Sequence, residues 1–139
     1  IPNLHGDDVG VCTIEMLKYY NELAELPSVT AQYERIDWDE IYDFYGPLQD
    51  EIKKMNHPDN IIDAVIPEKI EELWSEIVKT IKGVPSYSEC KAAMEKAGCK
   101  ITVEDIKKNQ KLFKDCVKYS PYMRRRLTLL RLNNMINEN

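Results

Sequence analysis

His5 is the residue with the clearest capacity for chemistry. It stands in Leu4-His5-Gly6-Asp7-Asp8-Val9-Gly10-Val11-Cys12-Thr13, beside a glycine and ahead of a long amphipathic run. Gly6 has no side chain to block the ring, so an imidazole on such a turn can face a cleft. A neutral imidazole is the commonest metal ligand among side chains. The competing reading is a plain surface or packing histidine. Asp7 and Asp8 could approach a hard cation, but two adjacent acids need further ligands to hold one. They also fit the acidic first turn of a helix. The second cluster is basic: Arg124, Arg125, Arg126 and Arg131. A guanidinium matches carboxylate or phosphate with its planar fork. Arg124 and Arg126 are therefore weak candidates for binding an anionic substrate or a neighbouring domain. The alternative is a solvated stripe with scattered ion pairs. His57, in Asn56-His57-Pro58-Asp59-Asn60, reads as a solvent-facing loop residue and is not counted as a ligand. No Ser-His-Asp set, no phosphate-cradling glycine loop and no Cys-His pair can be read.

The elements that must position these residues read as helical throughout. A first helix is expected from Asp7 or Asp8 to Glu25, with Val9, Cys12, Met16, Tyr19, Tyr20 and Leu23 on one apolar face. Pro27 ends it. Residues 29–36 fit either a short helix capped by Thr30 or an extended segment. Asp37 with Glu40 reads as a capping pair, and Gly46 as a stop. Trp38 and Tyr45 fit core packing or an aromatic pocket wall. Pro47 suits the start of a short helix over 48–55. The spacing of Ile70, Leu73, Trp74, Ile77, Val78 and Ile81 predicts one helix from Pro67 to Ile81. Ser86 or Ser88 starts the next, which ends at Ala97. Thr102 with Asp105 reads as a capping-box variant before a helical segment to Tyr119, broken near Asn109. Ser120-Pro121 starts a last helix to about Ile136, apolar enough to be buried.

The chain has 139 residues, a length that fits one domain, here the single helical domain 1–139. Its apolar fraction of 43% and charged fraction of 31% are ordinary for a globular protein. The net charge of −5 argues against a general nucleic-acid or membrane-surface binder. No apolar run approaches the roughly 20 residues of a membrane span. Cys12, Cys90, Cys99 and Cys116 have no Cys-x-x-Cys spacing; without a secretory signal, reduced thiols and a cytoplasmic location are expected. The start, Ile1-Pro2-Asn3, lacks an initiator Met, so a fragment or processed product is expected.

Three stretches carry a family resemblance. His5-Gly6-x-x-Val9-Gly10-x-x-Thr13 resembles the segment bearing the last metal-binding histidine of the iron-containing alcohol dehydrogenase and dehydroquinate synthase superfamily. Tyr119-Ser120-Pro121-Tyr122-Met123-Arg124-Arg125-Arg126-Leu127-Thr128-Leu129-Leu130 is similar to its closing helix, and Met94-Glu95-Lys96-Ala97-Gly98 to a lysine–alanine–glycine turn. Within that superfamily the look is nearest to glycerol-1-phosphate dehydrogenases. Asp7, Cys12 and Lys100-Ile101 depart from the usual pattern. The resemblance implies an all-α multi-helix bundle, the C-terminal half of a metal-dependent, NAD(P)-linked polyol-phosphate dehydrogenase. It implies a divalent metal, zinc, nickel or iron, held by an Asp and two His. Only the last His maps here, onto His5; the other ligands would lie upstream of Ile1, with the N-terminal dinucleotide-binding domain as partner. The substrate implied is a small polyol phosphate of the glycerol 1-phosphate and dihydroxyacetone phosphate type. The isolated chain is then expected to be inactive and to bind neither metal nor nucleotide tightly. A homo-oligomer is compatible with this. The alternatives are a glycerol or alcohol dehydrogenase of the same superfamily, or a free-standing helical protein-interaction domain.

Overall fold

The computed structural model describes residues 3–138. Helix accounts for 61% and strand for 4%, an all-α composition. The chain groups into two compact units, each built from two sequence segments. The first comprises 1–27 and 73–113, the second 28–72 and 114–139.

In the first unit, α1 runs His5–Leu23. The Leu4 carbonyl accepts from the amides of Asp7 (3.0 Å) and Asp8 (3.3 Å), so the helical ladder opens two residues earlier than expected. His5 thus lies inside the first turn, not on a turn ahead of it. Asp7 and Asp8 supply the acidic first turn that the helix dipole favours. The phase of the buried face also differs. Val11, Ile14 and Leu23 are buried, whereas Val9 is 48% exposed. Val11 packs with Val103, Ile106 and Phe113 into one cluster. α5 (Trp74–Lys82) buries Trp74 and Ile81, and the Trp74 indole donates to the Leu26 carbonyl at 2.9 Å. α6 (Tyr87–Lys96) starts from a complete capping box: Ser86 accepts from the Glu89 amide, and Glu89 accepts from the Ser86 amide. It approaches α1 closely at Gly10, where a Cβ would sit 2.9 Å from Met94 Cε. Thr102 and Asp105 form the expected reciprocal bonds at 3.0 Å each. They cap only a turn, because Lys107 takes φ 58° and stops the helix.

In the second unit, β1 (Val29–Ala31) pairs antiparallel with β2 (Ile136–Glu138), Thr30 opposite Asn137. The open choice at 29–36 thus resolves to extended chain. α2 (Trp38–Tyr45) is capped by Asp37, which accepts from the Glu40 amide at 3.0 Å, and stops at Gly46 with φ 51°. A 3-10 turn at Gly46–Leu48 leads into α3 (Gln49–Asn56). α4 (Pro67–Glu72) is short. The single helix expected over 67–81 opens at Leu73, whose φ −93° and ψ 6° leave the helical region. α7 (Gln110–Tyr119) begins in the first segment set and ends in the second, with Asn109 Oδ1 accepting from the Leu112 amide.

The expected last helix from Ser120 to Ile136 does not form. A 3-10 turn (Ser120–Tyr122), an irregular stretch, the single turn α8 (Leu129–Leu132), a second 3-10 turn and β2 take its place. The reason lies at Arg131, a charged residue that is wholly buried. Thr128 caps α8 by accepting from the Arg131 amide, which aims that guanidinium inward. Leu127, within the stretch expected to be a buried helix, is 51% exposed. The apolar core of this unit includes Ile41, Ile52, Tyr119 and Tyr122, with Ile36, Trp38, Tyr42 and Tyr45 against them. No helix among the described residues is long and apolar enough to cross a membrane.

Candidate functional site

α1 builds the site in the first unit. His5 is exposed in its first turn, and Asp8, Val9, Cys12, Met16 and Tyr20 follow at helical spacing along one side. Together they line an open groove of about 480 Å³. These are largely the residues whose spacing suggested a core face. The helix carries a second apolar stripe, Val11 and Ile14, and that one takes the core. Leu23 of the suggested face joins the core, while Val9, Cys12, Met16 and Tyr20 are left to the groove.

The acids divide. Asp7 Oδ2 pairs with Lys100 Nζ at 3.1 Å, so it is engaged away from any ion. Asp8 Oδ1 is buried with no hydrogen-bond partner among the described residues. One turn separates Asp8 from His5, a spacing that shares a helix face. Burial raises the Tyr20 phenol above its ordinary value, so it stands as a neutral hydroxyl at the far end. Among the described residues, no three His, Cys, Asp or Glu side chains come together as a metal cage. A metal held here would take His5, with Asp8 as the available neighbour, and would need donors from beyond this chain.

The arginines do not form one cluster. Arg124 and Arg126 are exposed on the irregular stretch of the second unit. Arg125 donates to the Asp59 carbonyl. Arg131 is paired with Glu34 in the core. Glu34 Oε1 also accepts from Tyr122 Oη at 3.1 Å and Asn134 Nδ2 at 2.9 Å, while Arg131 Nη2 donates to Asn60 Oδ1 at 3.1 Å. The Arg131 guanidinium lies over the Tyr122 ring at 4.4 Å. From sequence Arg131 reads as part of the basic cluster; it stands inside Leu129-Leu130-Arg131-Leu132, and a charge within an apolar run is the signal that could have marked its burial.

His57 is exposed as expected, yet it is not idle. Its Nε2 lies 2.7 Å from Tyr42 Oη, and its ring meets Trp38 at 4.6 Å between centroids. Trp38 and Tyr42 stack at 5.8 Å, so the aromatic stripe is packed rather than hollow. On the other side of α2, Lys118 and Tyr119 both bond Glu40 and hold its carboxyl below the usual carboxylate range.

No protein-family model matches the chain, and neither a curated protein nor a solved structure matches it.

Proposed function

We propose that this chain is the metal-side helical half of an NAD(P)-linked polyol-phosphate dehydrogenase of the glycerol 1-phosphate and dihydroxyacetone phosphate type. Its bundle would correspond to the C-terminal domain of dehydroquinate synthase-like enzymes. The resemblance of the His5, Lys96-Ala97-Gly98 and closing segments supports the reading. The observation that carries it is the position of His5: an exposed imidazole at the head of an open groove, with an unpartnered Asp8 carboxylate oxygen one turn on.

A divalent metal would supply Lewis acidity toward a ketone oxygen, and reduced nicotinamide would supply hydride. The chain's own part is to present His5 from a helix end fixed by Leu4, to offer an apolar wall of Val9 and Met16, and to leave room for a second lobe. One ligand is too few for a zinc-type site, which takes at least three. The isolated chain is therefore expected to be inactive.

The test uses the polypeptide encoded by the whole reading frame. It should oxidise NADH or NADPH in the presence of dihydroxyacetone phosphate and contain zinc, nickel or iron. His5→Ala should lower metal affinity by at least the roughly 10–100-fold typical of weaker perturbations of metal sites. A His5→Ala protein that retains metal and rate overturns the assignment. So does tight metal binding by the isolated chain that His5→Ala leaves unchanged.

The same groove favours a second reading, a helical interaction domain that receives a partner along α1. The coding sequence upstream of Ile1 separates the two. A glycine-rich nucleotide-binding domain with an Asp and a His favours the enzyme.

A further inference from the structure

We propose that the stretch Met123–Thr128 is an attachment surface for anionic lipid. It lies outside any helix, and all six of its residues are exposed. Three consecutive guanidinium groups, from Arg124, Arg125 and Arg126, are flanked by Met123, 48% exposed, and Leu127, 51% exposed. Arg124 and Arg126 have no side-chain partner among the described residues. Arg125 donates to the Asp59 backbone carbonyl.

The stretch is held at both ends. Tyr122 is buried on one side, and Thr128 caps α8 on the other. Within it the Met123 amide donates to Ser120 and the Arg126 amide to Arg124. A presented, already ordered loop loses little conformational entropy on docking.

Guanidinium groups bind phosphodiester oxygens with two parallel hydrogen bonds. Exposed Met and Leu side chains beside them gain by entering the headgroup–acyl boundary. The acidic net charge of the whole chain does not forbid this. Screening at physiological salt limits exposed charges to about 8 Å, so the local patch decides. Single-stranded nucleic acid would want exposed aromatic rings for stacking, and the one ring beside the stretch, Tyr122, is buried. A small free phosphate gains little from fully exposed arginines. The inference stands apart from the dehydrogenase reading, because vesicle binding involves neither His5 nor a metal.

The experiment is co-sedimentation of the protein with phosphatidylcholine vesicles, with and without phosphatidylserine, at low and high salt. Binding should require phosphatidylserine and weaken as salt rises. At about one kcal/mol per basic residue, each arginine contributes roughly fivefold, so Arg124→Ala with Arg126→Ala should cost roughly 25-fold. Leu127→Ser should weaken binding further at every salt concentration. Lys79→Glu with Lys82→Glu, an exposed basic pair elsewhere, should leave it unchanged. Far-UV circular dichroism should match for all variants, since none of these side chains is buried. Failure to bind phosphatidylserine vesicles at low salt overturns the proposal. Equal binding to phosphatidylcholine, or full binding by the double arginine variant, overturns it too. Release by millimolar inorganic phosphate would assign the arginines to a small anion. Retention on single-stranded DNA but not on vesicles would assign them to nucleic acid.

Discussion

Glu34→Ala should be among the most damaging single changes in the second unit. The Arg131 side chain is 0% exposed and that of Glu34 2%. Removing the carboxylate strands a guanidinium that cannot shed its proton. It also takes the acceptor from Tyr122 Oη and Asn134 Nδ2. Breaking a buried ion pair from one side costs about 3–5 kcal/mol. Whole domains are stable by only about 5–15 kcal/mol. With a urea slope of about 1–3 kcal/mol per molar, the midpoint should fall by about 2 M. Arg131→Met should also destabilise, because it leaves the Glu34 carboxyl buried without its cation. The double variant Glu34→Leu with Arg131→Met should recover most of the loss, since no charge stays buried. Trp38 lies in the second unit and Trp74 in the first, so urea unfolding read from Trp38 emission in a Trp74→Phe background reports the right unit. A Glu34→Ala loss under about 1 kcal/mol, the range of an exposed pair, would refute the reasoning.

Gly46→Ala should destabilise by about 1–3 kcal/mol on thermal unfolding, because φ 51° with ψ −117° is closed to an L side chain although no atom blocks its Cβ. Gly6→Ala, in helical backbone with open space around its Cβ, should instead stabilise by about 0.5–1 kcal/mol. Ser86→Ala removes the α6 capping box and should cost about 1 kcal/mol, read from Trp74 emission. Burial pushes the Tyr45 and Tyr122 phenols up to about 12. Their contribution is present below the unfolded value of 10 and is lost as pH rises through 12. The wild-type urea midpoint should therefore drop steeply between pH 10 and 12, and Tyr45→Phe should flatten that drop.

Local signals in the sequence located most helix ends. Asp37, Gly46, Pro67 and Asn109 all act where their chemistry suggests, and of Ser86 and Ser88 it is Ser86 that caps, because caps and stops depend on a few neighbouring residues. The broken last helix was not legible. Its leucines look like a buried stripe, and only the meeting of Arg131 with Glu34 turns the chain there. At α1 the pattern held two apolar stripes, and periodicity alone could not say which one the core would choose. The Asp7–Lys100 and Tyr42–His57 pairs were hidden for the same reason: each joins residues from different elements. The exposure of His5 agrees with the expectation of an open ring. That it sits within the helix rather than before it follows from the Leu4 carbonyl, a backbone acceptor with no mark in the side-chain pattern.

Glu34 and Arg131 lie 97 positions apart, and β1 meets β2 across a similar span. Between them the chain makes its whole excursion from Leu73 to Phe113. The two segments of the second unit are therefore held by an electrostatic clasp between distant positions, and closing that span costs entropy before any contact repays it.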